Sequence, residues 1–459
     1  IVLDKENTEN RTGIFMIDAS HGFIKDGDKN RLREQDIYKI VTTFNSMTEV
    51  PGFSRFVPFD EIINKNSYNL NIPRYIDSTE KEDLQSIEAH LYGGIPQDDI
   101  DNIPHFWNVF PNLKNQIFGE YSKGFYKLLI QKDDVHKTIS ENIEFLEYNK
   151  KVNNTYNEWK KIANPVLTNL NSTDSNKEII LNLSEEILEK FSKLELLDKY
   201  DVYQVLLAYW NETMNDDVLL IIQDELGYNL AKITDDIKEE PKESKKAKKD
   251  SAKEKKPKEP KIIGWEGRLI PKQIVLDAFF ALEQKEIEKA EEKLSQTESE
   301  FEEFIENNSD ENGYFTDYMG DDEKIDSKKI TSRVKLLTKE KKTQNEEYKI
   351  LNNYVDYESS IKSQKKHITE LKKVLDDNCR NRYETFTDAE IKDLLVNRKW
   401  YKAIDDGIQN LYITVANHLT KRIVELYERY ENTLSELNTK LAEEEKVVFG
   451  HLTQMGFKL

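Results

Sequence analysis

The sequence predicts a mostly α-helical protein: a short α/β segment, then a helical domain, a long antiparallel coiled-coil hairpin and C-terminal helices. Three observations predict it. Charged residues make up 34% of the 459, against roughly 25% in an average soluble domain. Gly and Pro number only 16 and 11, so few positions break a helix. Apolar residues recur at spacings of three and four over most of the chain, the pattern of narrow helical stripes rather than of a sandwich or barrel. A single cysteine, Cys379, excludes an internal disulfide and fits a reducing, cytoplasmic setting. No apolar run approaches the roughly 18–20 residues needed to span a bilayer, so no membrane contact is expected. The net charge of −20 opposes freestanding nucleic-acid binding, leaving such contact to a local basic surface or a basic partner.

The elements follow in order. Residues 1–5 read as the end of a buried strand without its beginning, so further sequence ahead of them is expected. Residues 13–20 form a second strand, a short apolar run between a Gly and a polar turn. Residues 25–30 are a polar loop. Leu32, Ile37, Ile40, Val41 and Phe44 recur at helical spacing and predict a helix over about 31–45 packed on a sheet. Residues 53–57 are another strand, ended by Pro58, with Asp60 placed to cap a short helix over 61–66. Strand, helix, strand is the grammar of a parallel α/β sheet, and three elements are too few to cover it, so 1–78 reads as the tail of a larger domain. Asp18 and Ser20 stand at a strand's C-terminal end, where such folds place ligands; the favoured reading is instead a turn in which Asp18, Ser20 and His21 bond locally.

These residues resemble a known family. The run 15–20, the Asn30-Arg31-Leu32-Arg33 stretch with its helix, residues 53–57 and residues 68–77 (Tyr-Asn-Leu-Asn-Ile-Pro-Arg-Tyr-Ile-Asp) are similar to the modification (M) subunits of type I restriction–modification systems. So are residues 93–101 with Phe106-Trp107, residues 269–272, Lys399-Trp400-Tyr401, residues 422–430 and Met455-Gly456-Phe457, in the same order. The resemblance implies that 1–78 is the C-terminal part of a methyltransferase-like sheet. It implies a subunit that transfers a methyl group from S-adenosylmethionine to N6 of adenine in double-stranded DNA. A specificity subunit reads the sequence, and a restriction subunit can join. The sequence departs from the family pattern where the chemistry is done. It has no Asn-Pro-Pro motif, its one Asn-Pro being Asn164-Pro165 followed by Val166-Leu167, and no Gly-x-Gly loop. Both motifs are expected ahead of Ile1. This stretch is therefore assigned no catalytic and no cofactor-binding residue, and alone it is expected to be inactive.

Residues 79–237 predict five or six amphipathic helices. Leu84, Ile87 and Leu91 form one face; Phe118, Tyr121, Phe125, Leu128 and Leu129 another, which Ile139, Ile143 and Leu146 continue; further faces follow to Leu226. Trp107, Trp159 and Trp210 read as core anchors, since no Arg or Lys interleaves them as a base-stacking platform requires. Residues 238–261 hold 11 Lys against 5 Glu and 1 Asp, with three Pro; this is a flexible linker or loop excursion, or an arm lying along DNA phosphates.

Residues 262–398 predict the hairpin. Ile287, Ala290, Leu294, Thr297, Phe301 and Phe304 make a heptad seam, and a second long helix over 327–376 carries Leu336, Tyr354, Tyr357, Ile368 and Leu375. Residues 399–459 predict C-terminal helices whose apolar seam, including Leu434, Leu437, Leu441 and Val448, either docks the specificity subunit or packs within the chain. The seven His are scattered and none pairs at i, i+4, so no metal site is predicted. Arg31, Arg33 and Arg55, near the sheet edge, are the candidate DNA contacts, with ordinary surface solvation as the alternative for each. A non-enzymatic helical scaffold is the alternative function. An acidic DNA mimic fits worst, because Glu and Lys intermix on the predicted arms.

Overall fold

The computed structural model describes residues 2, 5–6, 8–78, 83–239, 262–309, 313–319 and 325–457. It is 68% helical and 10% strand, the mostly α architecture the sequence predicts. Two compact units divide the chain: Ile1–Gln223 with Trp400–Leu459, and Asp224–Lys399. Of the strand expected at 1–5, residues 1, 3 and 4 lie outside the described residues.

In the first unit, β1 (Gly13–Ile17) is followed by a hairpin of β2 (Ile24–Asp26) and β3 (Lys29–Arg31), then α1 (Glu34–Ser46) and β4 (Ser54–Pro58). The polar loop expected at 25–30 is thus a tight hairpin turning at Gly27, whose φ of 61° suits glycine. The strand–helix–strand grammar also resolves differently. β4 runs antiparallel to β1, Gly13 opposite Pro58 and Ile17 opposite Ser54, because the left-handed residues Met47 and Gly52 reverse the chain between α1 and β4. Met16 and Val57 bury one face of the pair with Ile62, Tyr75 and Ile76. Asp60 does not cap the turn that follows; its carboxylate accepts from Asn64 Nδ2 at 2.7 Å.

The orientation of α1 is a second difference. Leu32, Ile37, Val41 and Phe44 are exposed, and the buried residues are Gln35, Asp36 and Thr43. Gln35 fixes α1 to the Lys199–Tyr209 helix: its backbone N–H donates to Gln204 Oε1 at 3.1 Å and its Nε2 to Asp201 Oδ1 at 2.8 Å. The Tyr38 ring lies 4.7 Å from that of Tyr203. Polar and aromatic contacts, not the apolar stripe, dock this helix.

The helical core is built on aromatic seams. In the Ile143–Leu167 helix the buried residues are Phe145, Tyr148, Val152, Tyr156, Trp159, Ala163 and Leu167, at spacings of three and four, while Ile143 and Leu146 face solvent. Asn142 caps the helix, accepting from Glu144 N at 2.8 Å. The Lys402–Tyr430 helix crosses it: Phe145 and Tyr412 stack at 4.4 Å, Tyr412 Oη donates to Phe145 O at 3.1 Å, and Tyr156 Oη donates to Tyr401 O at 2.7 Å. Gly407 permits a close approach, since a Cβ there would stand 2.4 Å from Val205 Cγ1. Trp159 and Trp210 are buried anchors as expected; Trp107 is half-buried, donating to Ile100 O at 2.6 Å. Two expected faces fail. Leu84, Ile87 and Leu91 are exposed. Residues 118–128 form an antiparallel hairpin, Phe118–Ser122 with Phe125–Leu128, because Gly124 with φ 85° turns the chain after five residues.

The second unit holds the arm. Its base includes an antiparallel pair, Thr234–Lys238 with Ile262–Gly267. The Lys-rich tract runs between these strands, with Lys238 opposite Ile262; its residues 240–261 lie outside the described residues. The Ala281–Glu306 helix packs antiparallel on the Glu346–Glu384 helix. Lys365 pairs with Glu298 at 2.7 Å and Lys372 with Glu291 at 2.6 Å, so seven residues forward on one helix match seven back on the other. The long helix expected over 327–376 is two: Ser327–Lys339 ends in a turn and Glu346–Glu384 begins afresh. Ile330, Val334 and Leu337 bury against Phe315, Leu351 and Tyr354, leaving Leu336 exposed.

Candidate functional site

A cleft of about 580 Å³ opens at the C-terminal end of β1. Sequence distant from the strand contributes to it: Ser78, and Asp198 and Tyr200 from the start of the Lys199–Tyr209 helix. Asp18 is buried at the strand end, where its N–H donates to Phe53 O at 2.7 Å. Its Oδ1 accepts from Ser20 N at 3.0 Å and its Oδ2 from Ser78 Oγ at 2.6 Å. The hydrogen bonds from Ser20 and Ser78 hold this carboxyl below the ordinary aspartate range, with nearby His21 acting in the same direction. The turn expected of Asp18, Ser20 and His21 is therefore present, and it is locked by a residue sixty positions on.

The lining also holds basic and aromatic side chains. Lys39 stands 4.5 Å from the ring centre of Phe53 and 5.6 Å from that of Tyr200. Arg33 forks onto Asp36, Nε to Oδ2 at 2.9 Å and Nη2 to Oδ1 at 3.0 Å. Burial pushes the Asp36 carboxyl up, and the Arg33 hydrogen bonds overcome it, so the group stays ionised and below its usual range. Asp198 caps its helix, accepting from Tyr200 N at 2.9 Å.

The carboxylates of Asp18, Asp36 and Asp198 each accept hydrogen bonds from the protein itself.

The three candidate arginines are not brought together. Arg33 is the Asp36 partner just described. Arg55 forks onto Glu61 at 3.0 and 2.8 Å and donates to Tyr75 O at 3.2 Å. Arg31, exposed in β3, pairs with the equally exposed Asp26 at 3.2 Å, a contact that solvent and salt readily replace. The four candidate interface residues do share one feature: Leu434, Leu437, Leu441 and Val448 are all exposed on the Leu434–Gln454 helix, which buries no residue. The seam just before them is internal, with Leu419, Ile423, Leu426 and Tyr430 buried. Cys379 is fully buried, and burial pushes its thiol up to about 11, the opposite of an activated nucleophile. Among the described residues, no group of three His, Cys, Asp or Glu is placed to hold a metal ion, and no helix is long and apolar enough to cross a membrane.

Sequence reasoning missed three residues of the cleft. Ser78, Asp198 and Tyr200 carry no motif, and only the fold brings them to Asp18.

Residues 1–84 match the family model described as N-6 DNA Methylase. The chain is 39% identical over 85 residues to the methylase subunit of the type I restriction enzyme MpnII of Mycoplasma pneumoniae, covering 18% of this chain and 16% of that protein. It is 42% identical over 89 residues to the methylase subunit of MjaVII of Methanocaldococcus jannaschii, covering 18% of this chain and 15% of that one. The matched stretch is thus about one sixth of the length of these relatives. No solved structure matches the chain.

Proposed function

We propose that this chain is the C-terminal part of a type I restriction–modification DNA methyltransferase subunit. The full subunit uses S-adenosylmethionine to methylate adenine N6 in double-stranded DNA, together with a specificity subunit and, for cleavage, a restriction subunit, in the cytoplasm. This stretch contributes DNA clamping and subunit assembly rather than the chemistry. The methylase match over residues 1–84 carries the reading. Two features support it. The β1–β4 sheet has two strands, so among the described residues neither outer edge is paired, and a two-stranded sheet is marginal by itself. The stripe Ile37, Val41, Phe44 on α1 is also exposed. Both fit a segment completed by further strands and helices. Arg31, with its weak exposed partner, is the strongest of the three candidate DNA contacts, and Leu434, Leu437, Leu441 and Val448 form the docking strip for the specificity subunit.

The test pairs assembly with chemistry. The full subunit carrying this chain is purified with its specificity subunit and assayed for methyl transfer to adenine; the double variant Leu437→Asp, Leu441→Asp is assayed beside it. Methyl transfer by the wild-type complex, and loss of co-purification in a variant whose circular dichroism is unchanged, are the expected results. A complex that assembles but transfers no methyl group supports the non-enzymatic scaffold instead. A variant that still co-purifies removes the docking strip.

A further inference from the structure

A basic face of this acidic chain lies on the arm. Between positions 327 and 342 there are seven Lys and Arg against one Glu. The Ser327–Lys339 helix turns Ile330, Val334 and Leu337 inward. Lys328, Ser332, Lys335 and Lys339 follow one another at steps of four, three and four, so they form one stripe on the outer face, and all four are exposed. Lys328, Lys335 and Lys339 have no ion pair among the described residues. Arg333 is committed to Glu347 at 2.7 Å, and Lys342 pairs with Glu340 at 2.9 Å. The acidic run 321–323 precedes the helix in sequence and lies outside the described residues.

Stability does not account for the stripe. Lysines near a helix C-terminus complement the dipole, as Lys339 does here, but Lys328 and Lys329 occupy the first turn, where the dipole opposes cations and acids are preferred. That turn holds no acidic residue, and only the Asp326 cap, accepting from Lys328 N at 3.0 Å, offsets it. Nor are these lysines distributed like those on the arm's shaft, where Lys365 and Lys372 each pair across the hairpin.

We propose that this face docks the phosphate backbone of a DNA double helix without reading its sequence. The choice of DNA rests on the proposed function; the polyanion itself is argued from the stripe. From Lys328 to Lys339 the helix rises about 16 Å, which spans roughly five phosphates of one strand at about 3.4 Å each. An apolar inner face fixes the helix, so the lysines are presented as an array rather than as a loose tail.

The full chain is titrated with a fluorescent duplex carrying no recognition site, in the absence of the specificity subunit, at several salt concentrations. Lys328→Gln, Lys335→Gln, Lys339→Gln is compared with wild type and with the shaft variant Lys365→Gln, Lys366→Gln, Lys372→Gln, which removes the same charge. Each lost phosphate contact lowers the slope of log K against log salt by about 0.9. The stripe variant is expected to lose about 3 from the slope and roughly tenfold or more in affinity, and the shaft variant to keep both. Equal losses in the two variants would overturn the proposal in favour of net charge alone. An unchanged slope in a stripe variant of native circular dichroism would overturn it outright. Sedimentation with phosphatidylserine vesicles that the stripe variant abolishes, with DNA binding intact, would reassign the face to a membrane. Because the assay needs neither methyl transfer nor the partner subunit, its failure leaves the proposed function standing, and failed methyl transfer leaves the stripe standing.

Discussion

Asp83→Asn tests the joint between the methylase segment's end and the C-terminal helix. Asp83 accepts from Arg422 through both guanidinium nitrogens, one at 2.8 Å, and from Arg429 Nη2 at 2.8 Å. The two arginines lie seven residues apart on one helix and are about four-fifths buried. Arg429 Nη1 is buried with no hydrogen-bond partner, and the second acid near Arg422, Glu425, stands 4.0 Å away, so Asp83 is the nearest counter-charge to both cations. The Arg422 hydrogen bonds, aided by those of Arg429 against the cost of burial, hold the Asp83 carboxyl at about 2. An unfolded aspartate titrates near 3.9, so the gap is roughly two pKa units, or about 2.5 kcal/mol at most, and partial solvent screening reduces it to about 1–2 kcal/mol. The folded pKa is depressed, so this stability is present above about pH 4 and is lost as the pH falls toward 2. The assay is urea denaturation of the full chain followed by tryptophan fluorescence, since Trp107, Trp159, Trp210 and Trp400 report on this unit and Trp265 on the other. At pH 7 the variant should be destabilised by about 1–2 kcal/mol, and the difference should shrink as the pH approaches 2. A loss below about 0.5 kcal/mol at pH 7, or a difference of undiminished size at pH 2, would refute the reasoning.

Two further outcomes follow from neighbouring geometry. Tyr430 Oη donates to the buried Asp99 Oδ2 at 2.7 Å and accepts from Ser86 N at 3.2 Å. Tyr430→Phe strands both groups and should cost about 1–3 kcal/mol in the same denaturation assay, and its effect should be non-additive with Asp83→Asn because both act on one helix end. Lys341 closes the Ser327–Lys339 helix in the left-handed region, φ 56°, with Lys342 N reaching back to Leu337 O at 3.0 Å. Glycine relieves that backbone strain at the C′ position, so Lys341→Gly should stabilise the arm by up to about 1 kcal/mol, read by hydrogen exchange of residues 330–339.

Periodicity made the helices legible where one face is buried by apolar side chains alone. The seam of Ile287, Leu294, Phe301 and Phe304 is half-buried or buried against its partner helix. It misled where polar groups do the docking. α1 shows a clean apolar stripe, yet Gln35 and Tyr38 decide which side faces the protein. It failed also at Phe118–Leu128, where aromatic residues suit strand and helix equally and Gly124 settles the matter. The break at Lys341 was hidden because a lysine occupies a position where glycine would have announced the helix end. Of the site, Asp18 and its turn were legible from a strand end. Ser78, Asp198 and Tyr200 were not, because they meet Asp18 only through long-range folding.

The exposed helix at the C-terminal end supports one more argument. It buries none of its residues, so its order depends more on its own backbone and caps than on its contact with the Ile87–Tyr92 helix. Thr433 supplies the start as a capping box: Glu436 N donates to Thr433 Oγ1 at 3.3 Å, and Thr433 N donates to the Glu436 carboxylate at 2.8 Å. Thr433→Ala removes the first bond, and losing such a cap typically costs about 1 kcal/mol, close to a fivefold change in the folded fraction of the helix. Hydrogen exchange over residues 437–450 should quicken by about that factor, while urea unfolding of the core stays in place. If a partner subunit grips Leu437 and Leu441 on the helical form, its affinity falls by the same factor, because the competent population has fallen. An affinity that drops while exchange is unchanged would mean that Thr433 touches the partner directly. An exchange rate that rises while affinity holds would mean that the partner's surface lies elsewhere on the chain.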